Sequence, residues 1–284
     1  QIHKRKAPMH DIEIEGLDFS YGEDALILKG INLSIRNPQL ISIIGPNGVG
    51  KSTLIHCMNN ILSPVHGTVM IDGMSVSEYK PKELAKKVGY VPYTAADSFP
   101  MTVVDTVLMG RNPHKKWKSL HEDLAGVKEA MEMMDIVPLA MRNFNELSAG
   151  QHQRVMLARG LAQEPEILLL DEPTANLDVR HQMDVIRLLK KLSVERSIMV
   201  VMISHDLNIA AKYSDNIIMM HEGSIYAVGR PADVITEENI RTVYDVESEV
   251  ILRNGRPMMI VKDEQFEDEP IPESCIVESK REVR

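Results

Sequence analysis

The sequence predicts an α/β protein: a parallel sheet buried on both faces, an antiparallel β subdomain ahead of it, and a helical segment inserted into the chain. Three observations carry this expectation. Leu40–Ile44, Ile167–Leu170 and residues 198–203 are short runs with hardly a polar residue, each followed by glycine or polar residues. That is the pattern of strands covered by helices on both sides. Asp11–Phe19 alternates instead, with Ile12 and Ile14 on one face, and so do Ile31, Leu33 and Ile35, as strands with one wet face do. Residues 92–163, between buried runs that have the character of a single sheet, read as mainly helical.

The remaining elements follow in order. A helix over residues 51–61 succeeds the first buried strand. Residues 120–135 place Leu124, Val127, Met131 and Met134 on one stripe, read as core packing. Helices are expected over 148–163 and 178–193, and a hairpin over 219–228 turns at His221, Glu222, Gly223 and Ser224. Past Val250 the pattern weakens. The acidic, proline-containing stretch 264–273 reads as a mobile tail.

Composition narrows the function. The 284 residues are 44% hydrophobic and 26% charged, which suits a globular protein with a sizeable core and excludes a fibrous chain. Aromatics make up only 4%, against 18 methionines, so packing rests on aliphatic and thioether groups. A net charge of −9 argues against a general basic surface for nucleic acid. Residues 262–284 carry eight carboxylates against four bases. Cys57 and Cys275 match no metal-site spacing and read as free thiols of a reducing cytoplasm. No apolar stretch near the start resembles a signal peptide, and no run approaches the length of a membrane span. A role at a membrane would need a partner to hold the chain there.

Residues 45–53, GPNGVGKST, follow the first buried strand and open a helix. Gly45, Gly48 and Gly50 let the backbone around Pro46 and Asn47 curl about an anion, with free N–H groups and the helix dipole facing it. Lys51 can reach β- and γ-phosphates, and the hydroxyl of Ser52, ahead of Thr53, can ligate Mg²⁺. The strand Ile167–Leu170 ends in Asp171 and Glu172, a costly place for charge unless a cation compensates. Asp171 fits the holding of Mg²⁺ through water, and Glu172 the activation of an attacking water. The next buried strand ends in Ser204, His205 and Asp206, where a histidine can donate to a γ-phosphate. The other nine histidines read as surface or packing residues.

Downstream of the phosphate loop come residues 147–151, LSAGQ, and residues 175–178, ANLD. In this order the motifs closely resemble those of the ATP-binding subunits of ABC transporters: Walker A at 45–53, signature at 147–151, Walker B at 167–172, D-loop at 175–178 and H-loop at His205. The resemblance covers residues 12–250. It implies a RecA-like P-loop core with an antiparallel β subdomain and a helical subdomain over about 94–163, the ATPase domain occupying 9–250 and a C-terminal extension 251–284. It implies ATP and Mg²⁺ as ligands, with Tyr21 stacking on adenine. It further implies a head-to-tail homodimer in which Ser148, Gly150 and Gln151 contact ATP held by the other chain, with Asp178 of the D-loop beside them. Two departures stand out. Ala149 replaces a signature glycine, and Tyr93 occupies the Q-loop position, where the family carries a glutamine that meets Mg²⁺ and senses the permease.

Residues 102–114, TVVDTVLMGRNPH, with the later Val243, Tyr244, Asp245 and Val246 and Gly255, Arg256 and Pro257, resemble the importer subfamily for iron–siderophore, haem and cobalamin complexes. That resemblance implies a peripheral subunit on the cytoplasmic face of the membrane, bound to a permease dimer and served indirectly by an extracytoplasmic substrate-binding protein, with no nucleic-acid partner. Residues 99–108 would line the groove for the permease's coupling helix, although Val103, Val104, Val107 and Leu108 also suit a core. Competing readings are a soluble ABC ATPase of translation or DNA repair and the cassette of an exporter.

Overall fold

The computed structural model describes residues 10–22, 25–93, 101–114, 120–175 and 177–262. The acidic tail, Cys275, Phe99 and Asn176 lie outside the described residues. The chain opens with β1 (Asp11–Phe19), β2 (Leu28–Arg36), β3 (Leu40–Ile44), α1 (Lys51–Met58), β4 (His66–Ile71), β5 (Met74–Ser75), α2 (Pro81–Lys87) and β6 (Val88–Val91). The insertion supplies α3 (Val103–Leu108), α4 (Leu120–Met133) and α5 (Ala149–Ala162). Then follow β7 (Ile167–Leu170), α6 (Val179–Glu195), β8 (Met199–Ile203), α7 (Leu207–Tyr213), β9 (Asn216–His221), β10 (Ser224–Gly229), α8 (Pro231–Val234), α9 (Glu237–Tyr244), β11 (Ser248–Arg253) and β12 (Arg256–Val261).

Two sheets carry the architecture. The antiparallel one runs β2-β1-β4-β5, and the larger runs β10-β9-β3-β8-β7-β6. In the latter β3 lies parallel to β8 and β9, and β7 to β6 and β8, leaving β10 as the antiparallel edge. Every residue of β3, β7 and β8 is buried, which is why these strands carry no alternation. On one face Ile12, Ile14, Leu54 and Met58 pack against Ile41, Ile43 and Leu169. On the other, Leu157, Ile186 and Leu189 pack on Leu40, Leu168 and Val200. Burying one such side chain contributes about 2 kcal/mol, so slipping a strand by one residue would cost several such terms. The register is thereby held. Ile203 sits opposite Ile43, Met202 opposite Leu170, and Leu170 opposite Val91. The segments leaving β3, β6, β7 and β8 therefore emerge side by side at the carboxyl edge, where open α/β sheets collect their ligands.

Several expectations need correction. The first helix ends at Met58 rather than residue 61, because Asn59 caps it and Asn60 turns left-handed (φ 53°). In α4 the stripe keeps Val127, Met131 and Met134, but Leu124 is 44% exposed. The helix is rotated to bring Asp123 inward, where it accepts from Arg111 Nε at 3.2 Å, both groups being buried. Val103 and Val107 are core residues, with Val104 and Leu108 partly buried against them. Beyond residue 247 the weak pattern conceals a hairpin, β11–β12. Its register pairs Val250 with Met259, and these two pack inward while Ile251, Leu252, Met258 and Ile260 face solvent, so no alternation is visible. The side chain of Asn208 bonds both the carbonyl and the N–H of Met259, at 3.1 and 2.8 Å. Glu237 accepts from the N–H of Val250 at 3.0 Å. Among the described residues no helix is long and apolar enough to cross a membrane. Cys57 is buried, and burial pushes its thiol up to about 11.

Candidate nucleotide-binding and hydrolysis site

The phosphate loop occupies residues 45–50 between β3 and α1. Glycine is required at two of its positions on two grounds each. Gly45 (φ 147°) has the carbonyl of Met220 only 2.4 Å from where a Cβ would stand, and Gly50 (φ 96°) has the Leu28 side chain at 2.7 Å. Gly50 is also the N-cap of α1, so the free N–H groups of that helix open onto the loop. Lys51, only 6% exposed, folds back over the loop, its Nζ donating to the carbonyls of Gly45 and Pro46 at 2.8 and 2.7 Å. Burial lowers its pKa, against the opposing negative charges of Glu172 and Asp171.

The next residue links the loop to β7. Ser52 Oγ donates to Asp171 Oδ1 at 3.1 Å. Asp171 is buried, and burial raises its carboxyl pKa; the Ser52 bond opposes this and the charge of Glu172 adds to it. A carboxylate held out of water beside a hydroxyl, both hard oxygen donors, is the environment that a divalent cation relieves. The residues present therefore fit Mg²⁺. Glu172, one step on, adopts a left-handed backbone (φ 49°) that a β-branched residue would resist. Its Oε1 accepts from His205 Nε2 at 2.5 Å. The Asp171 N–H donates to the carbonyl of Val91 at 2.9 Å, which brings the end of β6, and Tyr93 two residues later, to the same edge. Tyr93 is 43% exposed.

Tyr21 sits at the other side of the loop. Its ring meets Phe19 edge-on at 4.9 Å, its hydroxyl lies 3.4 Å from Thr53 Oγ1, and more than half its surface is open. The structure thus gathers Tyr21, the loop through Thr53, Tyr93, Asp171, Glu172 and His205 at one edge. Ser148, Gly150, Gln151 and Asp178 form a second group. Ser148 caps α5, and a reciprocal pair of bonds joins it to Gln151: the Ser148 N–H donates to Gln151 Oε1 at 3.1 Å and the Gln151 N–H to Ser148 Oγ at 3.4 Å. A Cβ on Gly150 would lie 3.6 Å from Leu177 and 4.0 Å from His181, while Asp178 caps α6 by accepting from the His181 N–H at 2.9 Å. Among the described residues no hydrogen bond joins this group to the phosphate loop.

Sequence reasoning left one pair unnoticed. His56, read as a surface or packing histidine, bonds Tyr90 Oη at 2.8 Å beneath Asp171. Burial, then the charge of Asp171, pushes Tyr90 up to about 12. The signal lay in register alone: Tyr90 pairs with Leu169, two residues short of Asp171.

Comparisons with known proteins agree with this geometry. The ABC transporter family profile matches residues 28–175. An uncharacterised ABC transporter ATP-binding protein, MJ0089 of Methanocaldococcus jannaschii, is 42% identical over 88% of this chain and 97% of its own length. The ferric enterobactin transport ATP-binding protein FepC of Escherichia coli is 37% identical over 84% of this chain and 88% of its own. Among solved structures, an inward-facing conformation of an ABC transporter assigned by its describers to a proposed metal-chelate type superposes with a TM-score of 0.77 at 25% identity, covering 90% of this chain and 98% of that one. With the loop, the acidic strand end and the histidine in one place, and the profile spanning from β2 to beyond Walker B, the chain belongs to the ABC transporter family as an ATP-binding cassette of the ATPase type.

Proposed function

We propose that this chain hydrolyses ATP as one half of a head-to-tail homodimer on the cytoplasmic face of a membrane, and that the energy drives a permease dimer importing a metal chelate: a siderophore complex of iron, haem or cobalamin. An extracytoplasmic binding protein would deliver the cargo. One observation carries the chemistry: the Ser52–Asp171 and Glu172–His205 contacts meet at adjacent strand ends beside the phosphate loop. Lys51 and the loop N–H groups bind the phosphates, and Ser52 and Asp171 hold Mg²⁺, which supplies charge neutralisation on the phosphate oxygens. Glu172 activates the attacking water through the oxygen that His205 leaves open, and His205 steadies Glu172 and the γ-phosphate. Tyr21 offers its open face to adenine. The signature group, closed on itself within one chain, is suited to meet a triphosphate on another. The identity with a ferric enterobactin transport protein and the likeness to a transporter of proposed metal-chelate type support the cargo class.

The test is recovery of the tagged chain from detergent-solubilised native membranes, with partners identified by mass spectrometry. A many-helix permease is expected in the eluate, encoded beside a binding protein whose ligand is then assayed. Ribosomal or DNA-repair proteins without a permease would overturn the transport reading, and a permease fused to its own cassette would point to an exporter.

A further inference from the structure

At the amino end of β7, opposite the end that carries Asp171, four segments bring charged side chains together. His10 stands just ahead of β1, Asp72 in the β4–β5 turn, Lys87 at the end of α2 and Glu166 just ahead of β7. Backbone bonds fix these segments in place. The Asp72 N–H donates to the Asp11 carbonyl at 3.1 Å, the Asn37 N–H to the His10 carbonyl at 3.1 Å, and the Glu166 N–H to the Lys87 carbonyl at 2.9 Å. Asp72 turns left-handed (φ 52°), and its Oδ1 accepts from the Asp11 N–H at 3.3 Å, so Oδ2 is the oxygen left for the cluster.

His10 carries the argument. Its side chain is only 8% exposed, and its buried Nδ1 has no hydrogen-bond partner. That nitrogen nonetheless faces two carboxylate oxygens, Glu166 Oε2 at 3.3 Å and Asp72 Oδ2 at 3.8 Å. All three atoms lie within 4.8 Å of one another. Donors ~2.1 Å from one first-row ion stand ~3–4 Å apart, so the spacing suits a shared metal. A buried imidazole nitrogen without a partner is costly until something occupies it. Lys87 holds the place meanwhile, its Nζ donating to the same two oxygens at 2.5 and 2.8 Å. With His10 neutral, two carboxylates and one ammonium leave a net negative charge, which a divalent ion in the ammonium's place would cancel. Lys87 is partly exposed and can swing out to water.

We propose that His10 Nδ1, Asp72 Oδ2 and Glu166 Oε2 form a site for a divalent first-row transition ion such as Zn²⁺, entered by displacing the Lys87 ammonium. One nitrogen and two carboxylate oxygens suit such an ion, whereas Mg²⁺ favours oxygen and water alone. The site is a structural clamp, tying the antiparallel sheet, through His10 and Asp72, to the large sheet at Glu166. It is separate from the nucleotide site and does not depend on the ATPase reading.

The experiment titrates the untagged full chain, free of nucleotide and chelator, with Zn²⁺ by calorimetry and with Co²⁺ by visible absorption. The parent is expected to take up one tightly held ion per chain, with a raised melting temperature. His10→Gln should weaken binding at least about tenfold, and Lys87→Met should strengthen it about three- to fivefold by removing the competitor. A parent that binds neither ion overturns the proposal. So does binding that His10→Gln leaves unchanged, which assigns the ion to other donors, or binding that Lys87→Met weakens or leaves alone. Melting curves without metal are taken for each variant. Should His10→Gln not fold, Lys87→Met and Glu166→Gln carry the decision, since the first must tighten binding and the second must loosen it.

Discussion

His205 Nε2 lies 2.5 Å from Glu172 Oε1, so the second residues beyond two adjacent buried strands, β7 and β8, are joined by a single short hydrogen bond. The left-handed turn at Glu172 makes the contact: an extended residue would send its side chain to the face opposite Asp171. One bond then serves two ends. It fixes the carboxylate, and it leaves the second oxygen directed away from the histidine.

Glu172→Gln keeps an oxygen for His205 and removes the basicity. Hydrolysis is expected to fall at least about a hundredfold, with an ATP-bound dimer accumulating on size-exclusion chromatography. Turnover at the parent rate would remove Glu172 from the role of base.

Asp171→Asn separates stability from function. The folded state raises the Asp171 pKa above its ordinary value, chiefly by burial. An acid shifted upward costs stability as pH rises through that window, so at neutral pH the charged form is a burden in the nucleotide-free protein. The neutral isostere is expected to raise the nucleotide-free melting temperature by about 1–3 °C while abolishing Mg²⁺-dependent hydrolysis. Scanning calorimetry without nucleotide checks it, and a lowered melting temperature refutes it.

A third expectation concerns acid stability. Lys87 Nζ bridges Asp72 at 2.5 Å and Glu166 at 2.8 Å, tying the β4–β5 turn to the start of β7. Burial works to raise the Asp72 carboxyl, but the bonds from Lys87 and the Asp11 N–H prevail and hold it below its ordinary 3.8. A carboxyl lowered on folding contributes stability above that ordinary value and loses it as pH falls through the lowered one. Asp72→Asn should cost about 1 kcal/mol at pH 7 and flatten the acid limb below about pH 4. Urea midpoints across pH 2–7 measure it; parallel curves for parent and variant would disprove it.

Tyr93 stands two residues beyond Val91, whose carbonyl accepts from the Asp171 N–H. Tyr93→Gln restores the family's residue with its shorter, more flexible reach. Stimulation of ATPase by the reconstituted permease is expected to increase about two- to fivefold, with basal turnover little changed. Equal stimulation in both proteins would mean that the phenol already does the glutamine's work.

The legible parts of this chain were those whose physics is local. Leu40–Ile44 had to be a doubly covered strand, and Gly45, Gly48 and Gly50 announced a loop curled round an anion. The helix expected over 148–163 is found one residue shorter at each end, with Ser148 as its cap. What escaped depended on neighbours remote in sequence. The burial of Asp123 in place of Leu124 is decided by Arg111 across the subdomain. The His56–Tyr90 pair joins α1 to β6 through residues 34 apart in sequence. The hairpin β11–β12 has one inward pair and so leaves no periodic trace.

That hairpin is only two strands wide, with Ile251, Met258 and Ile260 facing solvent, and a two-stranded ribbon left with bare edges is a template on which other chains can pair. Val250 and Met259 form one of its non-hydrogen-bonded pairs, so their amides point outward, one along each edge. Glu237 takes the first and Asn208 the second. Two polar side chains from the body of the cassette thus occupy backbone groups that a further strand would need, and Asn208→Ala or Glu237→Ala would leave one edge amide unpaired.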